Sequence, residues 1–538
     1  MATTTHMANY TPLAWLSYAV DYSIWRLNPL GYHLTNALFH ALNAVLFYLL
    51  SRLLLALVFS SSESSPWIEL GSLFSSLAFS LSPLRVESVA WAAERRDVLA
   101  GFFYLTSLLL YCRASLRHER ALRLRLLSLV SYLCAALSKA TVMPLPAVLL
   151  ALDCYPLKRL GAGATPAQTR AVLAEKLPYA AIGLFCAAMA VRAQLVSGNL
   201  VAFAQHAVSD RFAQSLYGLG FYVRMTAFPS GLSALYPLAE GRDALLLNAA
   251  GSAAAIAAIV LILRAAGVPR KAQIALWGSY AAMLLPVLGI VQNGPQSVAL
   301  RYSYLSCLGW AVLLGAGAAA ALRDRASATR WSRGVLGCLL LWLAGNAWSA
   351  QTQIAAWRDG RSLWESVARR YPTSPDANMN LADALLQTNE PREALAYADA
   401  ALALTPANES ARLTHARALA ALGRSEEARA ELEADLRTDP EWGDGRALLG
   451  VVLIGLGRFT EAADQLLRAA AMLPASAEAQ ANAGAALAMQ LRFSDAVPYF
   501  ERAALIDPGN PSYAALLAHA RADAAHPPAT GTKGATTK

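Results

Sequence analysis

Between Leu81 and Asp97 the chain reads LSPLRVESVAWAAERRD, which sets Arg85, Glu87, Glu94, Arg95, Arg96 and Asp97 around Trp91 between two apolar runs. Lys139 closes a later apolar run, Gln296 and Arg301 precede another, and Asp21 is the one acidic residue ahead of the first long run. Arginine forks grip phosphate bidentately, and a carboxylate beside a hydroxyl works as a general base. Asp21 and Glu87 are therefore candidate catalytic carboxylates. Arg85, Glu94, Arg95, Asp97, Lys139 and Arg301 are candidates for binding a phosphate-bearing substrate. Charges held beside hydrocarbon are costly and usually functional. Each also has a plainer reading. ERRD makes a solvated juxtamembrane turn, Lys139 and Arg301 snorkel to the interface, and His33 and His40 serve as interhelical hydrogen-bond partners.

The elements that must hold these residues follow from composition. Hydrophobic residues make up 56% of the 538 and charged residues only 15%, too few to clothe a soluble protein of this size. Apolar stretches suited to crossing ~30 Å of hydrocarbon fall near 31–55, 67–83, 97–112, 124–139, 141–155, 177–195, 243–263, 273–292, 302–322 and 335–350. Residues 1–357 hold 27 Lys+Arg against 13 Asp+Glu, whereas 358–523 hold 16 against 23. The basic excess thus belongs to the apolar part and points to short cytoplasmic loops, not to nucleic-acid binding. Four such loops, 112–125, 156–176, 264–271 and 323–333, agree on one orientation when the segment 212–228, with Arg224 inside it, is interfacial or re-entrant. Ten spans then place both chain ends outside, and with them the 81–97 stretch, Lys139, Arg301 and the segment Glu240–Asp243. The six cysteines form no CxxC pair, so neither a zinc site nor a disulfide framework is indicated.

The C-terminal third has its own period. Pro372, Pro406, Pro440, Pro474 and Pro508 are spaced 34 residues apart, the tetratricopeptide period. Small residues recur in two further registers, Ala382, Ala416, Gly450 and Gly484, then Ala394, Ala428, Ala462 and Ala496. These are the positions where the paired helices of a repeat must approach closely. The expected fold is all-α: a polytopic transmembrane helix bundle over 1–357, four repeats forming a solenoid over 358–523, and a disordered tail over 524–538. Stacked repeats offer a groove suited to a protein or peptide partner.

The segments LNPLGYHLTNALFHALNAVLF (27–47), SPLRVESVAWAAERRDVLAGFFYL (82–105), LSKATVMPLPAVLLALDCYPL (137–157) and RYSYLSCLGW (301–310) resemble the transmembrane and tetratricopeptide-repeat protein O-mannosyltransferases, most closely their bacterial relatives. The resemblance covers nearly the whole chain. It implies a C-type membrane glycosyltransferase that moves a mannose-like sugar from a polyprenyl-phosphate donor to a protein acceptor, on the periplasmic side of a bacterial inner membrane. Glu87, Glu94, Arg95, Asp97, Lys139 and Arg301 match the family pattern. Three positions depart from it: Ser82-Pro83 stands for its HP, Lys139-Ala140 for its KE, and Leu300 for its acidic residue before RY. The family's first span and the acidic pair of its first external loop have no counterpart ahead of Leu27, which implies a form lacking that span, truncated or inactive. No cofactor is indicated, and a divalent metal stays open. The rival from another class is a non-enzymatic, membrane-anchored repeat scaffold; a transporter should show an inverted repeat. The six matching residues are expected to converge on one cavity at the outer membrane boundary, with Asp21 the nearest acid from the N-terminal segment.

Overall fold

A computed structural model of the chain describes residues 10–117, 119–161, 163–197, 208–238, 241–289, 296–323 and 330–525. Glu240 and all but the first two residues of the 524–538 tail lie outside them. Among the described residues every regular element is a helix, and the β-type contact is an isolated Pro237–Gln296 bridge. The chain divides into two compact units, Met1–Ser362 and Leu363–Lys538.

In the first unit, helices α1 (Pro12–Trp25), α2 (Pro29–Phe59) and α3 (Pro66–Ser80) each begin on a proline. Proline there forfeits a hydrogen bond the helix could not make, and its φ is already helical. Asn28 caps α2 by accepting from Leu30 N at 3.1 Å. At 31 residues, or about 46 Å, α2 is longer than the hydrocarbon layer, and it ends on Ser60 in the left-handed region at φ 52°. The short α4 (Val86–Ala90) and a 3-10 turn, Ala92–Glu94, lead into α5 (Arg95–Leu116), which folds back on α6 (Ala121–Ser138). Ser107 and Ser128 exchange hydroxyl-to-carbonyl hydrogen bonds of 2.8 Å across that hairpin. In an apolar surround such pairs fix register where hydrophobic contact alone cannot.

There follow α7 (Leu145–Cys154), α8 (Pro166–Ala174), α9 (Leu177–Ser197), α10 (Val208–Ala227), α11 (Arg242–Ala265), α12 (Arg270–Leu284), α13 (Ser303–Ser306), α14 (Leu308–Arg323) and α15 (Arg330–Ala356). Small residues let α3 and α14 approach closely: a Cβ on Gly315 would overlap the Ser75 hydroxyl and the Gly71 carbonyl. Each of the ten expected apolar segments coincides with a helix, or with the α13–α14 pair, but they are not equal. Among the described residues, five helices are long and apolar enough to cross a membrane, and the α13–α14 pair, bent by 59°, makes up to six. Helices α3 and α12, at 15 residues, and α7, at 10, fall short of that length. The segment read as interfacial forms the continuous helix α10, tied to the α13 side by Tyr222, whose hydroxyl donates to Ala299 O and accepts from Ala299 N, both at 3.1 Å.

In the second unit, α16 (Gly360–Arg370) precedes four helix pairs and a closing helix: α17 (Pro375–Gln387) and α18 (Pro391–Leu404), α19 (Glu409–Ala421) and α20 (Ser425–Thr438), α21 (Gly443–Gly455) and α22 (Phe459–Met472), α23 (Ala477–Met489) and α24 (Phe493–Ile506), then α25 (Pro511–Ala525). Ser374, Asn408 and Ser476 cap the first helices of three repeats. Trp442 holds the same register in the other and is buried beneath the Arg412 guanidinium, 5.2 Å from its ring. Ala394, Ala428, Ala462 and Ala496 are wholly buried, and a Cβ on Gly484 would come within 3.0 Å of the Phe500 ring.

Candidate active site

The α5–α6 hairpin brings its charged ends together for a local reason. The N-terminus of α5 and the C-terminus of α6 lie side by side, one carrying partial positive and the other partial negative charge. Asp97 sits in the first turn of α5 and Lys139 is the C-cap of α6, so each meets a favourable dipole. Lys139 has an extended backbone, φ −155°, which takes the chain off the α6 axis. Its Nζ lies 2.6 Å from Asp97 Oδ1 and 3.1 Å from Glu94 Oε2.

Arg301 arrives from the turn before α13. Its backbone N–H donates to Glu87 Oε2 at 3.0 Å, its guanidinium pairs with Glu87 Oε1, and its Nε lies 3.6 Å from Glu94 Oε1. Arg96 closes on Glu94 through Nε at 3.0 Å and a second contact through Nη2. Burial pushes the Glu87 carboxyl above its ordinary range, against the pull of Arg301. Arg85 is buried and donates to Ser303 Oγ at 2.7 Å, with its guanidinium over the Phe79 and Tyr304 rings. Burial lowers its pKa; its Nε has no hydrogen-bond partner, and it forms no ion pair among the described residues.

Asp21 belongs to a neighbouring knot. Its Oδ2 pairs with Arg95 and its Oδ1 accepts from Thr35 Oγ1 at 3.0 Å. Arg95, fully buried, also donates to Asn36 Oδ1 and Tyr32 O, each at 2.8 Å, and its guanidinium lies over the Tyr18 ring. The Tyr18 hydroxyl reaches Ala93 O at 2.9 Å, and burial pushes its pKa up to about 12. This knot fastens α1 to the start of α5.

A cavity of about 20 Å³ opens between the charges, lined by Asp97, Lys139, Thr141, Arg301, Tyr302 and Tyr304 on its polar side and by Met283, Leu305 and Ser306 elsewhere. Asp21, Glu87, Glu94 and Arg95 do not line it. Met283, Leu305 and Ser306 also wall an apolar groove of about 570 Å³ that runs between α2, α5, α7, α12 and α14 as far as Ala320. From Leu308 to Ala320 it follows α14 for about 18 Å.

The eight candidate residues thus fall into two adjoining sets, Asp21 with Arg95, and Glu87, Glu94, Asp97, Lys139 and Arg301 with Arg85 alongside. The sequence reading passed over Tyr304. Its hydroxyl joins His40 Nδ1 and Asn43 Nδ2, both at 2.9 Å, while His40 Nε2 faces Ser80 O at 3.1 Å. The carbonyl fixes the proton on Nε2, so His40 is an interhelical hydrogen-bond partner. Ser88, which donates to Asp97 Oδ2 at 3.1 Å, was equally hidden. A second buried network was missed altogether. Asp153 pairs with Lys176 at 2.6 Å and Arg159 at 3.1 Å, and Glu175 pairs with Arg159 at 2.7 Å and Arg125 at 2.8 Å. Its one signal was Asp153, a lone acid inside an apolar segment.

Tetratricopeptide-repeat models match residues 356–409, 389–451 and 448–511. Among curated proteins, the chain is 31% identical over 106 residues to Protein O-mannosyl-transferase TMTC3 of Homo sapiens, covering 20% of this chain and 10% of that protein. It is 36% identical over 105 residues to human Protein O-mannosyl-transferase TMTC2, 20% and 11%. Drosophila melanogaster Protein O-mannosyl-transferase Tmtc1 matches at 31% over 111 residues, 21% and 12%. The matched segments therefore span about a tenth of these relatives' length. Among solved structures, the chain is similar to a thermophilic TPR protein of Thermus thermophilus, with 20% identity, 34% of this chain and 95% of that one, and a TM-score of 0.29. MamA from Desulfovibrio magneticus matches at 17%, 28% and 85%, with a TM-score of 0.24. The chain carries tetratricopeptide repeats and shares a weak, local similarity with the O-mannosyl-transferases.

Proposed function

We propose that the chain is a membrane glycosyltransferase that moves a sugar, mannose or one like it, from a polyprenyl-phosphate donor to a protein acceptor bound by the repeats. The observation that carries this reading is the wall of Met283, Leu305 and Ser306 shared by a charged cavity and an apolar groove. An amphiphile with a phosphate head and a long apolar tail needs that junction, since burying charge and burying hydrocarbon demand opposite surroundings.

Charge supports the same ligand. The two adjoining sets hold four carboxylates, Asp21, Glu87, Glu94 and Asp97, and four cations, Arg85, Arg95, Lys139 and Arg301, with Arg96 joined to Glu94 as a fifth. The excess of one cation comes from Arg96, which is partly exposed, so part of its charge is met by solvent and the rest is open to an anion. A phosphodiester, singly charged, balances it. Lys139 and Arg301 line the charged side of the junction and would pair with the phosphate, while Arg85 adds its charge from behind Tyr304. The basic loops favour a ten-span bacterial inner-membrane topology, with this site and the repeats on the periplasmic side.

The test is reconstitution of the full chain with polyprenyl-phosphate-mannose and a threonine-containing peptide. Mannosyl-peptide is the expected product. Retention of donor lipid without transfer would favour the second reading, a repeat scaffold on a closed site, for which the confinement of Asp21, Glu87 and Glu94 by cations speaks. Absence of donor retention would overturn both the donor and the activity.

A further inference from the structure

We infer that Asp97 is the carboxylate that takes the proton from the acceptor hydroxyl, in place of Asp21 or Glu87. The inference rests on the donor reading above, and it follows from how the oxygens of the four acids are spent.

Both Glu87 oxygens belong to Arg301, one held by its backbone N–H and the other by its guanidinium. Glu94 is held at both oxygens by Arg96, with Lys139 added on Oε2 and Arg301 on Oε1. Asp21 is held by Arg95 and Thr35. None of these three borders the cavity. Asp97 does, with one partner on each oxygen, Lys139 Nζ at 2.6 Å and Ser88 Oγ at 3.1 Å. Four lone-pair positions on a carboxylate leave it room to accept one hydrogen bond more.

The cavity beside it, about 20 Å³, has room for about one water. What fits there is a hydroxyl oxygen; the phosphate head is larger than this space and would lie beside it, against Lys139 and Arg301. Lys139 and Arg301 stand on the same walls, so a base and the cations for a leaving phosphate face one small space. The acceptor oxygen attacks the anomeric carbon of the donor sugar, and its proton passes to Asp97. The sugar–oxygen bond to phosphate breaks, and its electron pair leaves on the polyprenyl phosphate. Lys139, bound to Asp97, opposes the cost of burying that carboxylate and holds it in place at the cavity wall. Asp97 later returns the proton to solvent or to the departing phosphate. Ser88 is a positioning residue in this scheme.

The experiment uses the full chain in lipid nanodiscs, radiolabelled polyprenyl-phosphate-mannose as donor and a threonine-containing peptide as acceptor, with donor binding and transfer measured separately. Asp97→Asn keeps the shape and the Ser88 contact. It should bind donor within about twofold of wild type and lose at least about 100-fold in kcat, the scale of a lost general base. Asp21→Asn and Glu87→Gln should each lose less than Asp97→Asn. If Asp97→Asn is not monodisperse, Asp97→Glu is read instead, and a displaced acid limb of its pH–kcat profile is the expected result. The inference is overturned if Asp97→Asn keeps more than a tenth of wild-type kcat, if Asp97→Glu leaves the profile where it was, or if Asp21→Asn or Glu87→Gln abolishes transfer while donor stays bound. The outcomes at Asp97, Asp21 and Glu87 overturn the inference alone; wild-type chain that binds donor and transfers nothing overturns the transferase reading with it, and wild-type chain that binds no donor removes the donor reading as well.

Discussion

Lys139 Nζ lies 2.6 Å from Asp97 Oδ1, and through that one contact the cap of α6 is fastened to the first turn of α5. Lys139 is the cation shared by Asp97 and Glu94, both almost wholly buried. Replacing it with methionine would remove that shared charge, and breaking a buried pair from one side costs about 3–5 kcal/mol. Lys139→Met should therefore lower the unfolding midpoint of the detergent-solubilised chain clearly. Adding Asp97→Asn to Lys139→Met should restore part of the loss. Additive losses in the double variant would show that the two side chains do not interact.

The Asp21–Arg95 pair makes a separate prediction. Helix α1 is held to the core by that pair, by Thr35 on Asp21 and by Tyr18 on the Ala92 and Ala93 carbonyls. Asp21→Ala leaves a fully buried guanidinium without its counter-ion, at a cost of about 1–3 kcal/mol or more. The loss should be local. Amide exchange over Pro12–Trp25 should quicken at least tenfold while Leu99–Tyr111 keeps its protection, and equal exchange in both segments would remove α1's dependence on the pair.

Helix α3 meets α14 where Gly71 and Ser75 face Gly315 and Ala319. Gly315→Leu drives a side chain into the Gly71 backbone and the Ser75 hydroxyl, an overpacking cost of about 1–3 kcal/mol. Gly317→Leu, where a Cβ meets nothing within 4 Å, should be neutral. A thermal shift in the first variant and none in the second is the expected pattern. Equal behaviour would place the helix contact elsewhere.

Repeat packing gives the same kind of test away from the bundle. Ala428 and Ala462 are fully buried at the first turn of α20 and α22. Ala428→Leu should speed amide exchange across α19 and α20 in the full chain, and Ala462→Leu across α21 and α22. The effect should fade with distance, because stacked repeats pass stress mainly to their neighbours. Exchange unchanged in both variants would mean that those helices do not close on these alanines.

The helical class and the repeats were legible because their signals are local: a 34-residue period lies along the chain itself, and an apolar run of suitable length needs no partner to be seen. Lone charges could be singled out for the same reason. Their pairing could not. Lys139 reaches Asp97 across 42 positions and Arg301 reaches Glu87 across 214, distances over which no periodic signal runs. Asp153 and Lys176 escaped because one looked like part of an apolar segment and the other like part of a basic loop, although Tyr111 binds both. Apolar-run length and helix length part company at α3, α7 and α12. Their apolar runs stood near spanning length, but the helices stop at 15, 10 and 15 residues, where Leu81, the extended Tyr155 and a 3-10 turn at Leu285 break the pattern.

Orientation follows from which ends of the α5–α6 hairpin carry which charges, and it yields the last prediction. The basic segments 112–125 and 156–176 meet at one end of the hairpin, where Arg125 pairs with Glu175 at 2.8 Å and Arg159 donates to Ser115 at 3.2 Å. Asp97 and Lys139 occupy the other end, some 20 residues away along each helix, or about 30 Å. Part of the basic charge is neutralised within the fold by Asp153 and Glu175, yet Arg117, Arg120 and Arg123 stay exposed, and on the proposed topology that end is the cytoplasmic one. The proposed topology puts the charged cavity on the opposite side. Cysteine substitution reads this without disturbing the spans. Arg120→Cys should react with a membrane-impermeant maleimide only after the cells are permeabilised, and Trp91→Cys, at an exposed position beside Arg301, should react in intact cells. Alkaline phosphatase fused after Lys538 should be active if the repeats share the outer side. Labelling of Arg120→Cys in intact cells, with Trp91→Cys protected, would invert the bundle and take the proposed donor chemistry to the cytoplasm.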